Sequence, residues 1–130
     1  MKTNKILFTA MFLVLIMGLS SLTFFKKSHI VAIKVDMPDN VKAVIENKCF
    51  GCHNTESQSD KAKEKLLFDK IDELSKAKLI STLGDIEEVL DENKMPPEKF
   101  LEKKPEKKLT DDEKQTLKEW AVATSEKMME

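Results

Sequence analysis

The 130-residue sequence has no arginine and no tyrosine, one tryptophan, three glycines and two cysteines. Arginine is the absence with the widest consequence, because nucleic-acid phosphates are gripped by clustered Lys and Arg. Residues 1–27 hold four of the 22 lysines and no acid, so residues 28–130 carry 18 lysines against 23 acids, a net charge of −5. An acidic, arginine-free domain is not a nucleic-acid binder. Glycine is too scarce, and two-residue turn signals too few, for a sheet made of tight hairpins. Aromatic residues are also thin on the ground. Of seven phenylalanines, Phe8, Phe12, Phe24 and Phe25 lie in one N-terminal apolar run. The rest of the chain is one small domain, marginal without a disulfide, metal or cofactor. Cys49 and Cys52 are where such a staple has to be sought.

The N-terminal run, Ile6 to Phe25, is twenty residues without a charge, bounded by Lys2 and Lys5 before it and Lys26 and Lys27 after it. Twenty apolar residues at about 1.5 Å each cross a hydrocarbon core. A cleaved signal has a shorter apolar centre, about 7–15 residues, and a small-x-small exit. Gly18-Leu19-Ser20 offers such an exit, but the apolar residues continue past it. Length favours a membrane anchor over residues 1–27, with a cleaved signal as the alternative. A buried core helix does not fit, since the run has no polar face. Lysines on the two flanks nearly balance, so charge alone leaves the orientation open.

Residues 28–36 read as a spacer, and residues 37–130 as four helical segments with no convincing strand. The first follows Met37-Pro38, with Asp39 as its N-cap and Val41, Val44 and Ile45 on one face, and runs into Cys49. The second spans about residues 60–75, with Leu67, Ile71 and Leu74 on a stripe. The third, residues 76–93, lines up Leu79, Leu83, Ile86 and Leu90, and Gly84 is a place where it could break. Lys94-Met95-Pro96-Pro97 ends it in a stiff, extended turn, and a charged loop runs from Glu98 to Lys108. Thr110-Asp111-Asp112-Glu113 is a capping box that opens the last helix, which carries Leu117, Trp120, Ala121 and Thr124 on one face. The fold class is all-α.

Cys49-Phe50-Gly51-Cys52-His53 is C-x-x-C-H, the attachment signature of c-type haem. Two thiols on one turn can each form a thioether with one haem vinyl group. The adjacent imidazole then reaches the iron from the same side, and Gly51 clears a side chain from the ring's approach. Chance produces this pattern in a chain of this length on the order of once in a thousand sequences, so the competing readings have to be strong to displace it. A thioredoxin-like pair wants a βαβ context. A zinc site wants four ligands, and only Cys49, Cys52, His53 and His29 are on offer, two of them adjacent. A Cys49–Cys52 disulfide closes too small a loop to stabilise much. A haem also supplies the missing core, against which Val44, Ile45, Phe50, Leu67, Leu83, Leu90 and Trp120 can pack. Each of these side chains, Trp120 included, reads as packing rather than as a redox relay.

An electron-transfer haem takes a second axial ligand, Met or His. Met11 and Met17 lie in the apolar run, Met128 and Met129 at the chain end, and Met37 only twelve residues before Cys49. Met95 alone sits between a helix end and two prolines, which present it rigidly. Its bland role is to plug a turn. Lys94 and Lys99 are costly ligands as hydrated ammonium groups. Met95 is the favoured ligand, with His29, water or an open position as alternatives.

With C-F-G-C-H, K-M-P-P and L-T-D-D-E-K-Q-T-L-K-E-W in this order, residues 37–127 resemble a small single-haem c-type cytochrome. They are similar, more closely, to the short bacterial haem-binding-domain proteins that carry an N-terminal membrane helix. The resemblance implies a cytochrome c-like helical bundle around one covalently attached haem c, preceded by a transmembrane helix. Cys49 and Cys52 would be the attachment residues, with His53 the proximal and Met95 the distal iron ligand. It also implies Lys2 and Lys5 in the cytoplasm and the haem domain in the periplasm, at the outer face of the bacterial inner membrane. The Lys- and Glu-rich stretch between His53 and Met95 implies a more exposed ring than usual.

The function expected is single-electron transfer, not enzymatic turnover, between respiratory redox proteins that dock on the acidic surface. Two alternatives remain. One is a haem-based sensor or peroxidase-like protein with an open iron site, although no distal His or Arg is present to assist. The other is a haem-free, disulfide-bonded interaction module on a membrane stalk.

Overall fold

The computed structural model describes residues 33–130, all helix, turn and loop with no strand among them. The expected anchor over residues 1–27, and His29, lie outside the described residues. Within them, no helix is long and apolar enough to cross a membrane.

The first helix, α1, runs Asp39–Val44 and continues directly into a π-helical turn, Ile45–Cys49. Pro38, not Asp39, is its N-cap, and Asp39 occupies the first helical position. There a carboxylate still favours the positive end of the helix dipole. In the π turn, the Phe50 amide donates to the Ile45 carbonyl, 2.8 Å away and five residues back. One extra residue in the turn resets the helical register immediately before the Cys49–His53 motif.

The expected second helix divides in two. Helix α2 covers only Asp60–Lys65, and after an extended Leu66 and Leu67 a 3₁₀ turn covers Phe68–Glu73. Helix α3, Lys76–Asp91, is unbroken through Gly84, which is exposed. Its stripe of Leu79, Leu83, Ile86 and Leu90 is buried, and this burial outweighs the helix cost of one glycine, about 1 kcal/mol. The charged loop is not featureless. It contains a one-turn helix α4, Glu98–Leu101, and a 3₁₀ turn, Pro105–Lys107. Helix α5, Asp111–Met129, begins with the expected capping box between Thr110 and Glu113. Ser59 and Ser75 cap α2 and α3, accepting from the amides of Ala62 and Lys78.

The core is the seam between α3 and α5, closed on the third side by α1. Leu79 and Leu83 are fully buried there, beside Leu117, Trp120, Ala121, Val41 and Ile45. This seam fills itself with protein side chains. Ile45, Leu83, Leu90 and Trp120, expected to line a haem, are covered by other residues of the chain, and Phe50 is exposed. Helix α1 runs antiparallel to α5. Lys48 meets Glu113 at one end, while Pro38, Asn40 and Val41 share a cavity wall with Trp120, Ala123 and Thr124 at the other.

The stretch before α1, read as spacer, is fastened from Ile33 onward. Val35 is buried and its amide donates to Asp72 Oδ1 at 2.8 Å. The Asp36 carbonyl accepts from Trp120 Nε1 at 2.9 Å. Sequence gave no hint of these partners, because they lie 37 and 84 residues away.

Candidate functional site

The Cys49–His53 motif occupies the turn that follows the π-helical residues, at the Glu113 end of α5. The amides of Cys52 and His53 both donate to the Cys49 carbonyl at 3.1 Å, which folds the five residues into a single tight turn. Cys49 and Cys52 are free, half-buried thiols. Burial pushes the Cys49 thiol up to about 11, and the nearby Cys52 and Glu113 add to the effect. A Cβ placed on Gly51 meets nothing within 4 Å, so no protein neighbour requires glycine there.

His53 is held from behind. Its Nδ1 lies 3.2 Å from the Leu66 carbonyl, and its own carbonyl accepts from the Phe68 amide at 2.9 Å. A carbonyl can only accept, so Nδ1 carries a proton, and in the neutral ring Nε2 keeps a free lone pair. This pairing falls at the break in the second helix. Leu66 and Leu67 are extended, and the Leu66 carbonyl faces the imidazole. Phe68 stands edge-on to the His53 ring, centroids 6.3 Å apart. The Thr55 amide donates to both oxygens of Asp69 at 3.2 Å, pinning the same two segments together. The Thr55 hydroxyl, bonded to Asp69, holds that carboxyl below its ordinary value.

Four methionines fall in the described residues, and their settings differ. Met37 and Met128 pack against the core, and Met129 is 62% exposed at the end of α5. Met95 is half-buried in the bend between α3 and α4 but does not join the core. The neighbouring Lys94 is exposed and pairs with Glu92, whose carboxylate raises its pKa and keeps it a charged ammonium without a free lone pair.

Some apolar side chains outside the core are partly exposed. Phe50 is 37% exposed, and Leu67, Phe100 and Leu101 are half-exposed and apart from the core packing. No three His, Cys, Asp or Glu side chains converge as a metal cage among the described residues. A groove of about 480 Å³ opens elsewhere, lined by Ile33, Val41, Trp120 and Met128. None of Cys49, Cys52, His53 or Met95 borders it.

Chemically, the Cys49–His53 turn offers two thiols and one imidazole, while the Met95 thioether stands on the separate bend between α3 and α4. Comparison with known proteins adds a family. The model of a haem-binding domain matches residues 57–123, just over half of the chain. The match takes in Leu66, Phe68 and Met95 and begins four residues after His53, so the Cys49–His53 turn lies outside it. No curated protein and no solved structure matches the chain.

Proposed function

The chain belongs to the haem-binding domain family, and from this premise we propose that it is a single-electron carrier with one haem c bound through Cys49 and Cys52, ligated by His53 and Met95. The observation that carries the reading is the posture of His53. A backbone carbonyl fixes its Nδ1 and leaves Nε2 bare, one residue from a thiol and four from another. Fixing the far ring nitrogen is how a protein orients a metal-binding imidazole and raises its basicity.

The residues fit a haem in their donor chemistry and in their surface. Cys49 and Cys52 would hold the macrocycle by thioethers, His53 through Nε2 and Met95 through its sulfur would be the axial ligands. The partly exposed Phe50, Leu67, Phe100 and Leu101 would shield its edges. When bound, haem supplies one-electron exchange at iron, with Met/His ligation favouring a higher potential. The chain's own contribution is to keep water and exogenous ligands away from the iron and to keep His53 oriented.

Residues 1–27 tether this domain to the bacterial inner membrane with the haem side in the periplasm. Its acidic surface suits a basic redox partner, recruited by weak, salt-sensitive steering. The test is optical. The full chain is produced with a haem-maturation system and its oxidised and reduced spectra are recorded. A low-spin reduced spectrum and a weak Met–iron band, lost in Met95→Ala, are expected. A high-spin iron that binds carbon monoxide would instead mark a sensor or peroxidase-like protein, and a colourless protein a disulfide-bonded module.

A further inference from the structure

Among the lysines that pair with a carboxylate in the described residues, Lys48 has the least exposed side chain, at 8%. Its Nζ donates to the carbonyls of Glu106, at 3.0 Å, and Lys108, at 2.9 Å, and lies 3.5 Å from Glu113 Oε2. An ammonium has three donors, and here each faces an acceptor. The arrangement is reciprocal. From the other side, Lys107 Nζ donates to the Asn47 carbonyl at 2.7 Å and to its side-chain oxygen at 3.0 Å. Two lysines thus clasp the turn that carries Cys49 to the segment that ends at Lys108.

That segment begins at Met95. From Pro97 onward its turns are closed by backbone hydrogen bonds. Pro97 O accepts from Phe100 and Leu101, Phe100 O from Lys103 and Lys104, and Lys104 O from Lys107. Little slack remains between Met95 and the clasp. On the other side of Met95, the Lys94 amide returns to the Val89 carbonyl at 2.9 Å, and Asn93 and Asp91 accept from Lys114 and Lys118 of α5. Met95 therefore sits between two ties. One belongs to the α3–α5 bundle, and the other is made by Lys48 and Lys107.

We propose that Lys48 is a positioning residue that holds the Met95 segment closed against the Cys49 helix, so that Met95 stays on the iron. The inference rests on Met95 being the distal ligand. Its function is to set how readily the sixth position opens. A charged clasp suits this task, because hydrogen bonds to a charged group are stronger than neutral ones and fix geometry.

Imidazole binding to the oxidised, haem-loaded protein reads this directly, since an external ligand enters only as Met95 leaves. Lys48→Met is expected to bind imidazole at least tenfold faster than the parent and to show a weakened Met–iron band. Lys48→Arg, which retains donors, should recover most of the parent behaviour. A Lys48→Met protein that melts earlier but binds imidazole at the parent rate would overturn the positioning role while leaving Met95 ligation intact. A parent protein with no Met–iron band would remove the ligation reading, and this inference with it. If Lys48→Met does not accumulate, Lys107→Met breaks the clasp from the exposed side. Several-fold faster binding is expected there, and an unchanged rate overturns the proposal.

Discussion

The His53 imidazole donates from Nδ1 to the Leu66 carbonyl, 3.2 Å away and thirteen residues on. The bond joins the thiol-bearing turn to the break between α2 and the following 3₁₀ turn, and it settles which ring nitrogen is free. Long-range ¹⁵N–¹H correlation spectra of the haem-free chain above the imidazole's titration range should show the Nδ1-protonated tautomer. A dominant Nε2–H signal would mean that the ring is not held by Leu66 and is not prepared for a ligand.

Cys49 makes the haem-free protein sensitive to alkali. Its thiol ionises near 9.0 in an unfolded chain and at about 11 in the folded one, chiefly because burial disfavours the thiolate. The sign follows directly. Stability is undiminished below pH 9 and is lost as the pH rises towards 11, by about 2–3 kcal/mol at the far end. Urea midpoints measured from pH 8 to 11 should fall more steeply for the parent than for Cys49→Ala. A thioether has no proton to lose, so the haem-loaded protein should not show this difference. Equal slopes for parent and variant would argue that Cys49 is not buried.

Signals that act within a few residues were readable, and those that act across the fold were not. The Thr110–Glu113 capping box and the Leu79, Leu83, Ile86, Leu90 stripe are local patterns, and both appear as written. The C-x-x-C-H spacing and the setting of Met95 before two prolines were equally plain. The break at Leu66 carries no Gly or Pro to announce it, and the imidazole that its carbonyl meets is thirteen residues away. The π turn before Cys49 differs from an α turn by one hydrogen bond, not by composition. Lys48 has no local signal either, because the carbonyls it meets, those of Glu106 and Lys108, are 58 and 60 residues away.

Gly84 offers a clean test of how α3 is held. It lies mid-helix on the exposed face, its φ is not positive, and an added Cβ meets nothing within 4 Å. Alanine there should stabilise the domain by about 1 kcal/mol through helix propensity and a less flexible unfolded chain. Thermal or urea denaturation reads the gain, and the optical spectrum should not move. Destabilisation would show that the face at Gly84 is covered by something the chain itself does not supply.

Trp120 decides whether the α3–α5 seam is independent of the haem. Its ring is buried among Leu79, Leu83, Leu117 and their neighbours, and its Nε1 donates to the Asp36 carbonyl at 2.9 Å. It lies seven residues along α5 from Glu113, about two turns or 10 Å from the Cys49 end. Trp120→Phe keeps most of the packing and removes the donor, and Asp36 is exposed, so water can replace the lost partner. The cost should be about 1 kcal/mol. Trp120→Ala also opens a cavity and should cost about 3–5 kcal/mol. Neither change should alter the haem bands of the folded protein, because the side chain is enclosed by protein rather than by the ring. Urea titration followed by circular dichroism gives the two costs, and the visible spectrum without urea gives the control. A shifted spectrum in Trp120→Phe would place the indole on the haem wall and make the seam part of the cofactor site.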